Sequence, residues 1–478
     1  MENGLDTSLR SLARAHDPAI ETVRDVAREV QALGGRAFLV GGCVRDALLG
    51  RPCHDFDLEI HGVDAAALER AVSRKWPLDK VGAVFGVLKL KGAPIDISLP
   101  RRENRLGAGH RDFAIAADPA LPPEESVKRR DFTVNAVMAD ALTLEIVDPA
   151  GGIDDLRAGR LRQVSSKFAE DPLRVLRGMQ FLARFPFLAP DPGLVATCAE
   201  MSQEALPRER LAAEWEKLLL QGIAPSRGLA FLRACGWLAF YPELLAMVGC
   251  PQDPVYHPEG DVGVHTLMAL DASVRLRAHG DQEYGLAMSL AALCHDMGKP
   301  AVTAVGAEDG RLHAYNHEVV GVAAATTFVR RLWNRDKLAA TVAKMVASHM
   351  RPISLAVAGA GPKAYRRLAV EAGRLDMLAD VVECDVRATT APGRDPDSHP
   401  SLALVREFRE KCAALAIEKA PPKPMVQGRD LIARGLSPGP EFGPLLEKCY
   451  EAQLAGEIRD AASAAAFLDA LLKPATTH

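Results

Sequence analysis

One stretch, FLVGGCVRDALLGRPCHDFD from Phe38 to Asp57, restricts what this chain can fold into more than any other. An apolar run ends at Gly41-Gly42, a short helical pattern follows, and Asp55 and Asp57 open a second apolar run, LEI. A strand turns alternate side chains to the same face, so Asp55 and Asp57 present two carboxylates from one side of one strand. Paired glycines let the backbone approach something bulky, and their amides can hold phosphate oxygens. Two carboxylates able to grip divalent cations, set beside such a turn, are the equipment of phosphoryl or nucleotidyl transfer. A lone Asp-x-Asp or a lone Gly-Gly is usually no more than a turn. The order, the short spacing and the flanking apolar strands carry the reading.

GGxVRD-x-LLG followed by Asp-x-Asp resembles the class II tRNA nucleotidyltransferase and bacterial poly(A) polymerase family. The resemblance implies that Asp55 and Asp57 are catalytic and hold Mg2+, and that Gly41, Gly42 and Arg45 contact the nucleotide. Two-cation transfer usually needs a third carboxylate. Asp96 in PIDISL is the candidate: Ile95 and Ile97 face one way, Asp96 and Ser98 the other. A charge inside an apolar strand is costly unless paired or metal-bound, the plain alternative being an exposed edge-strand Asp. RRDFTVNA resembles the family's next motif, which implies contacts to ribose and phosphates from Arg129, Arg130, Asp131 and Asn135. DPAGGIDDL at 148–156 resembles the one after, and reads equally as a turn closing the sheet.

In FAEDPLRVLRGMQF, residues 168–181, Glu170, Asp171 and Arg174 fit the Glu-Asp-x-x-Arg with which the family chooses the incoming base. Residues three apart on a helix share a face. An acceptor beside a donor fork matches the edge of cytosine or adenine, which neither uracil nor guanine offers. Asp171-Pro172 is also an ordinary N-cap and first-turn pair. RERLAAEWEKLL at 208–219 matches a further family helix and reads as scaffold. The charged, Gly- and Pro-broken segment from 101 to 126 reads as a long loop, functional or disordered. In the family an element at this place takes part in switching from CTP to ATP.

LAALCHDMGKP at 290–300 places His295-Asp296 at the end of an apolar helix and resembles the HD phosphohydrolase family. That resemblance implies metal ligation by His265, His295, Asp296 and Asp385, with His317 and His349 where two-metal members carry extra ligands. Imidazole and carboxylate suit a divalent transition metal or Mg2+, and such a site hydrolyses phosphate esters. Lys299 is a candidate phosphate contact or a solvated helix end.

These motifs imply an α+β multidomain chain: a small mixed-sheet nucleotidyltransferase head at 1–160, an all-α neck at 161–250, an HD domain at 251–400 and a helical tail at 401–478. Strands are expected at 36–40, 56–60, 84–90, 94–99 and 143–147, and CPQDPVYHPEGD at 250–261 reads as a linker. The tail resembles that of bacterial tRNA nucleotidyltransferases, with Arg429 and Arg434 as RNA contacts or, more commonly, a solvated face. The 58 basic residues are matched by 62 acidic ones, so an RNA surface has to be a local patch. Nine scattered cysteines without a C-x-x-C pair, no signal-peptide core and no membrane-length apolar run place the chain in the cytoplasm. The expected reaction is template-independent addition of CCA, or part of it, to tRNA from CTP and ATP, plus HD phosphohydrolysis. The alternatives are a poly(A) polymerase, or an HD phosphohydrolase whose front domain only binds nucleotide. Oligomeric state is not legible.

Overall fold

The computed structural model describes residues 5–7, 9–13, 17–79, 87–105, 113–391 and 393–473. They form two compact units, one of residues 1–207 with 230–237, the other of 208–229 with 238–478. The head–neck boundary expected at 160 thus falls inside the first unit.

In the first unit, after a short helix Arg10–Ala13, comes the helix Pro18–Ala32, started by Asp17, whose side chain accepts from Ala19 N–H at 2.8 Å. Ile20, Val23, Val26, Ala27 and Val30 form its buried stripe. Gly34 (φ +82°) stops it, and a Cβ on Gly35 would lie 2.6 Å from His61 O, so only glycine lets the chain pass so close to the sheet.

The strands are β1 (Arg36–Val40), β2 (Phe56–His61), β3 (Leu78–Asp79), β4 (Val87–Leu90), β5 (Ile95–Ser98), β6 (Arg101–Arg105), β7 (Phe113–Ala117), β8 (Met138–Asp140) and β9 (Ile146–Val147). Seven of them make one mixed sheet in the order β3-β4-β5-β2-β1-β8-β9. Its single parallel pairing, β2 with β5, sets Asp57 opposite Asp96.

Two expectations change. The strand expected at 143–147 is reduced to β9, and the strand beside β1 on the side away from β2 is β8, which was not expected. Met138, Ala139 and Asp140 are all buried, so the segment lacks the alternation that marks a half-exposed strand. The expected loop at 101–126 contains an antiparallel ribbon, β6 with β7, and a short helix Pro123–Ser126. Its central residues 106–112 lie outside the described residues, as do 84–86 of the strand expected at 84–90.

The second unit is helical apart from a two-stranded ribbon, Ala304–Val305 with Leu312–His313. The helices Val262–Leu276, Gln282–Cys294, His317–Leu332, Asp336–Ser348 and Leu375–Ala388 pack around its core. Gln282–Cys294 is buried on every side after Tyr284, as expected of a central helix. In the tail, Leu431, Cys449, Ala452, Ile458 and Leu468 form a small core. Arg434 is turned inward there, donating to Asp469 Oδ1 at 2.6 Å and to Asp430 O at 3.1 Å. Among the described residues no helix is long and apolar enough to cross a membrane.

Candidate functional site

In the first unit, Val40 at the end of β1 pairs with Asp57, so the chain turns at Gly41 beside that carboxylate. Gly41 has φ +77°, and a Cβ there would lie 3.4 Å from Asp57 Oδ2 and 3.7 Å from Arg130 Nη1. Asp55 sits one residue before β2, and its charge reaches Asp57. Asp57 retains exposed surface, yet the protein around its carboxyl restricts solvation. That enclosure, with the charges of Asp96 and Asp55, lifts its pKa above the ordinary range against Arg130 and Lys89. Carboxylates crowding one another in this way are the setting a cation relieves, though the three are not among the groups of described residues whose ligand atoms converge within 4.8 Å. Asp96 also has a protein cation, Lys89 Nζ, at 2.5 Å from Oδ2 across the β4–β5 pair.

Arg130 donates from Nη2 to Glu59 Oε2 at 3.0 Å, and Glu59 Oε1 lies 3.0 Å from His61 Nε2. Burial alone would raise the Glu59 pKa; His61 and Arg130 overrule it and hold it at about 2. Glu59 continues the alternation that begins at Asp55, and its partner shows what it does: it aims Arg130 toward Gly41 and Asp57. Sequence reading missed it because LEI reads simply as strand. Arg129 donates to Arg101 O at 3.0 Å.

Three residues expected to touch nucleotide are buried: Arg45, Asp131 and Asn135 are each less than a tenth exposed. They form a chain of contacts. Arg45 Nη1 donates to Asn135 Oδ1 at 2.7 Å, Asn135 Nδ2 to Asp131 Oδ1 at 3.1 Å, and Arg177 Nε to Asp131 Oδ2 at 2.6 Å. Burial pushes the Asp131 carboxyl up, but Arg177, Asn135 and the Phe132 amide together hold it below its ordinary range. The chain ties the helix Gly42–Leu48 to the helix Leu173–Arg184. In this structure these side chains therefore brace the site, and Arg177, which the motif does not include, is their partner.

On Leu173–Arg184, Arg174 donates from Nη1 to Lys167 O at 2.6 Å and from Nη2 to Arg129 O at 2.7 Å. Asp171 Oδ1 accepts from Leu173 N–H at 3.1 Å, as an N-cap does. Each terminal nitrogen of Arg174 spends one hydrogen on the backbone and keeps another. Asp148 caps Gly152–Ala158, accepting from the amides of Gly152 (2.8 Å) and Ile153 (2.9 Å), so DPAGGIDDL does close a turn.

In the second unit, His265, His295, Asp296, His317, His349 and Asp385 converge. His265 Nε2 lies 3.1 Å from His295 Nε2 and 3.1 Å from Asp385 Oδ1. His317 Nε2 lies 3.2 Å from His349 Nε2. Asp296 stands between the pairs, Oδ2 3.3 Å from His295 Nε2 and Oδ1 3.3 Å from His317 Nε2. The opposite ring nitrogens are spoken for. His295, His317 and His349 direct Nδ1 at the carbonyls of Ala292 (2.8 Å), Ala314 (2.8 Å) and Val346 (2.7 Å), and His265 directs Nδ1 at Glu259 (2.7 Å). A carbonyl can only accept, so those Nδ1 atoms carry the proton and the Nε2 lone pairs face inward. Two lone pairs at hydrogen-bond distance repel unless a cation or a proton lies between them. Both Asp296 oxygens are buried without a well-formed hydrogen bond. Burial would lower the His265 pKa, but Asp385, Glu259 and Asp296 raise it to about 9, a proton standing in for a cation. Burial pushes His349 down to about 4, leaving it a neutral donor. His265, His295 and Asp385 form one convergent group and Asp296, His317 and His349 another, each of which could hold a cation, with outer partners orienting each imidazole.

Lys299 Nζ lies 2.8 Å from Asp296 Oδ2 and donates to Gln252 Oε1 at 2.7 Å. Gln252 and His257 belong to the segment expected to be a linker. That segment instead forms a wall of the pocket, and Glu259 within it, fully buried, joins His257 to His265. Its Pro and Gly content hid this: irregular backbone is not loose backbone when its side chains serve a site.

Residues 37–162 match the family described as the poly A polymerase head domain, and residues 262–385 the HD domain family. The chain is 36% identical over 451 residues to a multifunctional CCA protein of Xanthomonas campestris pv. campestris, covering 88% of this chain and 98% of that protein. It is 36% identical over 385 residues to the one of Laribacter hongkongensis, covering 78% and 89%. Its fold is similar to that of the Bacillus stearothermophilus CCA-adding enzyme in complex with CTP, with TM-score 0.61 and 23% identity over 95% of this chain and 98% of that one. It is similar also to the Thermotoga maritima CCA-adding enzyme complexed with tRNA_CCA, with TM-score 0.57 and 18% identity over 97% and 98%.

Proposed function

From a chain that belongs to the multifunctional CCA protein family, we infer an enzyme that adds CCA to the 3′ end of tRNA from CTP and ATP without a nucleic-acid template. The tRNA 3′-hydroxyl attacks the α-phosphorus of the nucleotide, and pyrophosphate leaves. The observation that carries this reading is the register of Asp57 with Asp96, beside the turn at Gly41. Asp55 and Asp57 would hold the cations, with Asp96 completing the set, and Mg2+ is the ion we propose. Bound there, divalent cations polarise phosphate oxygens and neutralise developing charge. The amides at Gly41-Gly42, with Arg130 held by Glu59, would take the triphosphate. Arg129 would border the nucleotide, while Arg45, Asp131 and Asn135 would act from behind it. Asp171 and Arg174 would read the base. Relatives with solved structures are described as bound to CTP, ATP or tRNA.

The HD domain adds a phosphohydrolase. His265, His295, Asp296 and Asp385 would hold one cation, and His317, His349 and Asp296 a second, with Lys299 available to the phosphate. A division into head, neck, HD domain and tail, and action in the cytoplasm, complete the proposal. The test supplies tRNAs ending before, within and just short of CCA with labelled CTP or ATP, and reads product lengths on a gel. Stepwise C, C and A addition is expected. Long adenosine tracts regardless of the starting end would favour a poly(A) polymerase, and no incorporation would favour a head that only binds nucleotide.

A further inference from the structure

Of the nine cysteines, all among the described residues and all free, Cys53 alone is not buried. It lies in the irregular stretch between the helix Gly42–Leu48 and β2, two residues before Asp55. Its Sγ donates to Cys43 O at 3.2 Å, and Cys43 Sγ donates to Val40 O at 3.2 Å. The two thiols are also hydrogen-bonded to each other, and the Asp57 amide donates to Cys43 Sγ. The accepting carbonyls bracket the glycine pair, since Val40 precedes Gly41 and Cys43 follows Gly42. Two thiol hydrogens therefore steady the turn, and one of the two sulfurs is carried by the segment that delivers Asp55.

Two thiols in contact, one of them open to solvent, are the reduced half of a disulfide couple. We propose that Cys43 and Cys53 form a redox modification site, at which a peroxide joins them in a reversible disulfide that switches nucleotidyl transfer off. The proposal rests on the transferase reading of the first unit and adds its regulation. One sulfur takes an oxygen as the peroxide O–O bond breaks and water leaves, which makes a sulfenic acid. The other sulfur attacks it: the S–S bond forms, the S–O bond breaks, and the hydroxyl leaves with the remaining thiol hydrogen as a second water. The pair loses two electrons and the peroxide gains them. A dithiol reductant reverses the bond by exchange. An S–S bond is about 2.05 Å long, shorter than any contact between two thiols, so Cys53 has to move toward Cys43 and takes Asp55 with it. Neither sulfur then carries a hydrogen, so Val40 O and Cys43 O both lose their thiol donors. Misplacing a reacting group by about 1 Å can cost about 100-fold in rate.

The experiment treats the full-length protein with hydrogen peroxide and then with dithiothreitol, and follows CTP incorporation into a tRNA that lacks CCA. After peroxide, peptide masses should show Cys43 and Cys53 linked with the loss of two hydrogens, and incorporation should fall at least about tenfold. Dithiothreitol should reverse both. Cys53→Ser keeps a donor for Cys43 O, and Cys43→Ser keeps one for Val40 O. Each should match reduced wild type and resist peroxide. A linked pair with incorporation intact overturns the switch, as does peroxide treatment that links nothing. So does an equal loss of incorporation in either serine variant, which places the damage at other residues. Should reduced wild type incorporate no nucleotide, the transferase reading fails on its own. Calorimetric binding of CTP then decides the switch: weakening on oxidation that dithiothreitol reverses supports it, and unchanged or absent binding overturns it.

Discussion

The base-reading assignment can be broken at one atom. Asp171 Oδ1 caps the helix by accepting from Leu173 N–H at 3.1 Å, and Arg174 lies on the same helix with its two terminal nitrogens anchored to Lys167 O and Arg129 O. Asp171→Asn keeps the cap, because Asn and Asp serve about equally well there. It does so by giving its one oxygen to Leu173, which turns the amide nitrogen, a donor, toward the exocyclic amine of cytosine or adenine, also a donor. A good bidentate contact to a base is worth about 1–3 kcal/mol of discrimination. At about 1.4 kcal/mol per tenfold, selectivity for CTP over UTP should fall roughly 5- to 150-fold. Melting temperature should barely move. Arg174→Lys is the companion: a single ammonium cannot replace a fork that serves two carbonyls and a base edge. It should lose selectivity and also rate with both correct nucleotides. The assay is kcat/KM for each nucleotide on a tRNA ending just before CCA, with thermal melts on the same preparations. Unchanged selectivity in both variants would refute base reading by this pair. Melting temperature and selectivity both unchanged in Asp171→Asn would leave Asp171 as a cap alone.

Asp55→Ala and Asp57→Ala should each abolish nucleotide incorporation while circular dichroism and melting stay near wild type; activity lost only in step with stability would mean a structural role. His295→Ala and Asp296→Ala should lose cation-dependent hydrolysis of a 2′,3′-cyclic phosphate yet keep CTP incorporation, and joint loss of both activities would contradict separate sites. Asp140 is held below the ordinary carboxylate range: burial opposes this, but the amides of Thr143 and Leu142 and the Arg36 guanidinium prevail. A depressed pKa stabilises the fold above the ordinary value of about 4 and ceases to do so as pH falls through the lowered one. Asp140→Asn should therefore be less stable than wild type at neutral pH, with the gap closing toward acid in urea melts. A gap that is constant with pH would contradict the pairing.

What could be read from residues alone followed their periodicity. Alternation in FDLEI and IDIS announced two strands with outward carboxylates, and the apolar run before His295 announced a buried helix. That Asp57 and Asp96 would lie level was not legible, because strand pairing and register are tertiary choices made by the whole sheet. The same limit explains Arg45, Asp131 and Asn135. Motif order places them near the nucleotide, but whether a polar side chain faces ligand or braces a neighbour depends on what packs behind it, here Arg177 on a distant helix. β8 escaped because three consecutive buried residues carry no period. Glu259 and His257 escaped because Pro and Gly around them suggested slack chain where the structure has a wall.

His295 and His349 each occupy the residue just past the end of a helix, Gln282–Cys294 and Asp336–Ser348, and each bonds a carbonyl three residues back in that last turn. The C-termini of two helices therefore abut the same small volume. A helix presents its negative pole there, equivalent to about half an elementary charge, and its final carbonyls lack partners within the helix. Cations lodged among the imidazoles would thus act as a shared terminal cap, neutralising two helix ends at once through the rings that touch them. Chelation should be felt along the chain as fraying: amide exchange at 292–297 and 346–351 should quicken together when the metal is stripped, while the centre of each helix stays protected.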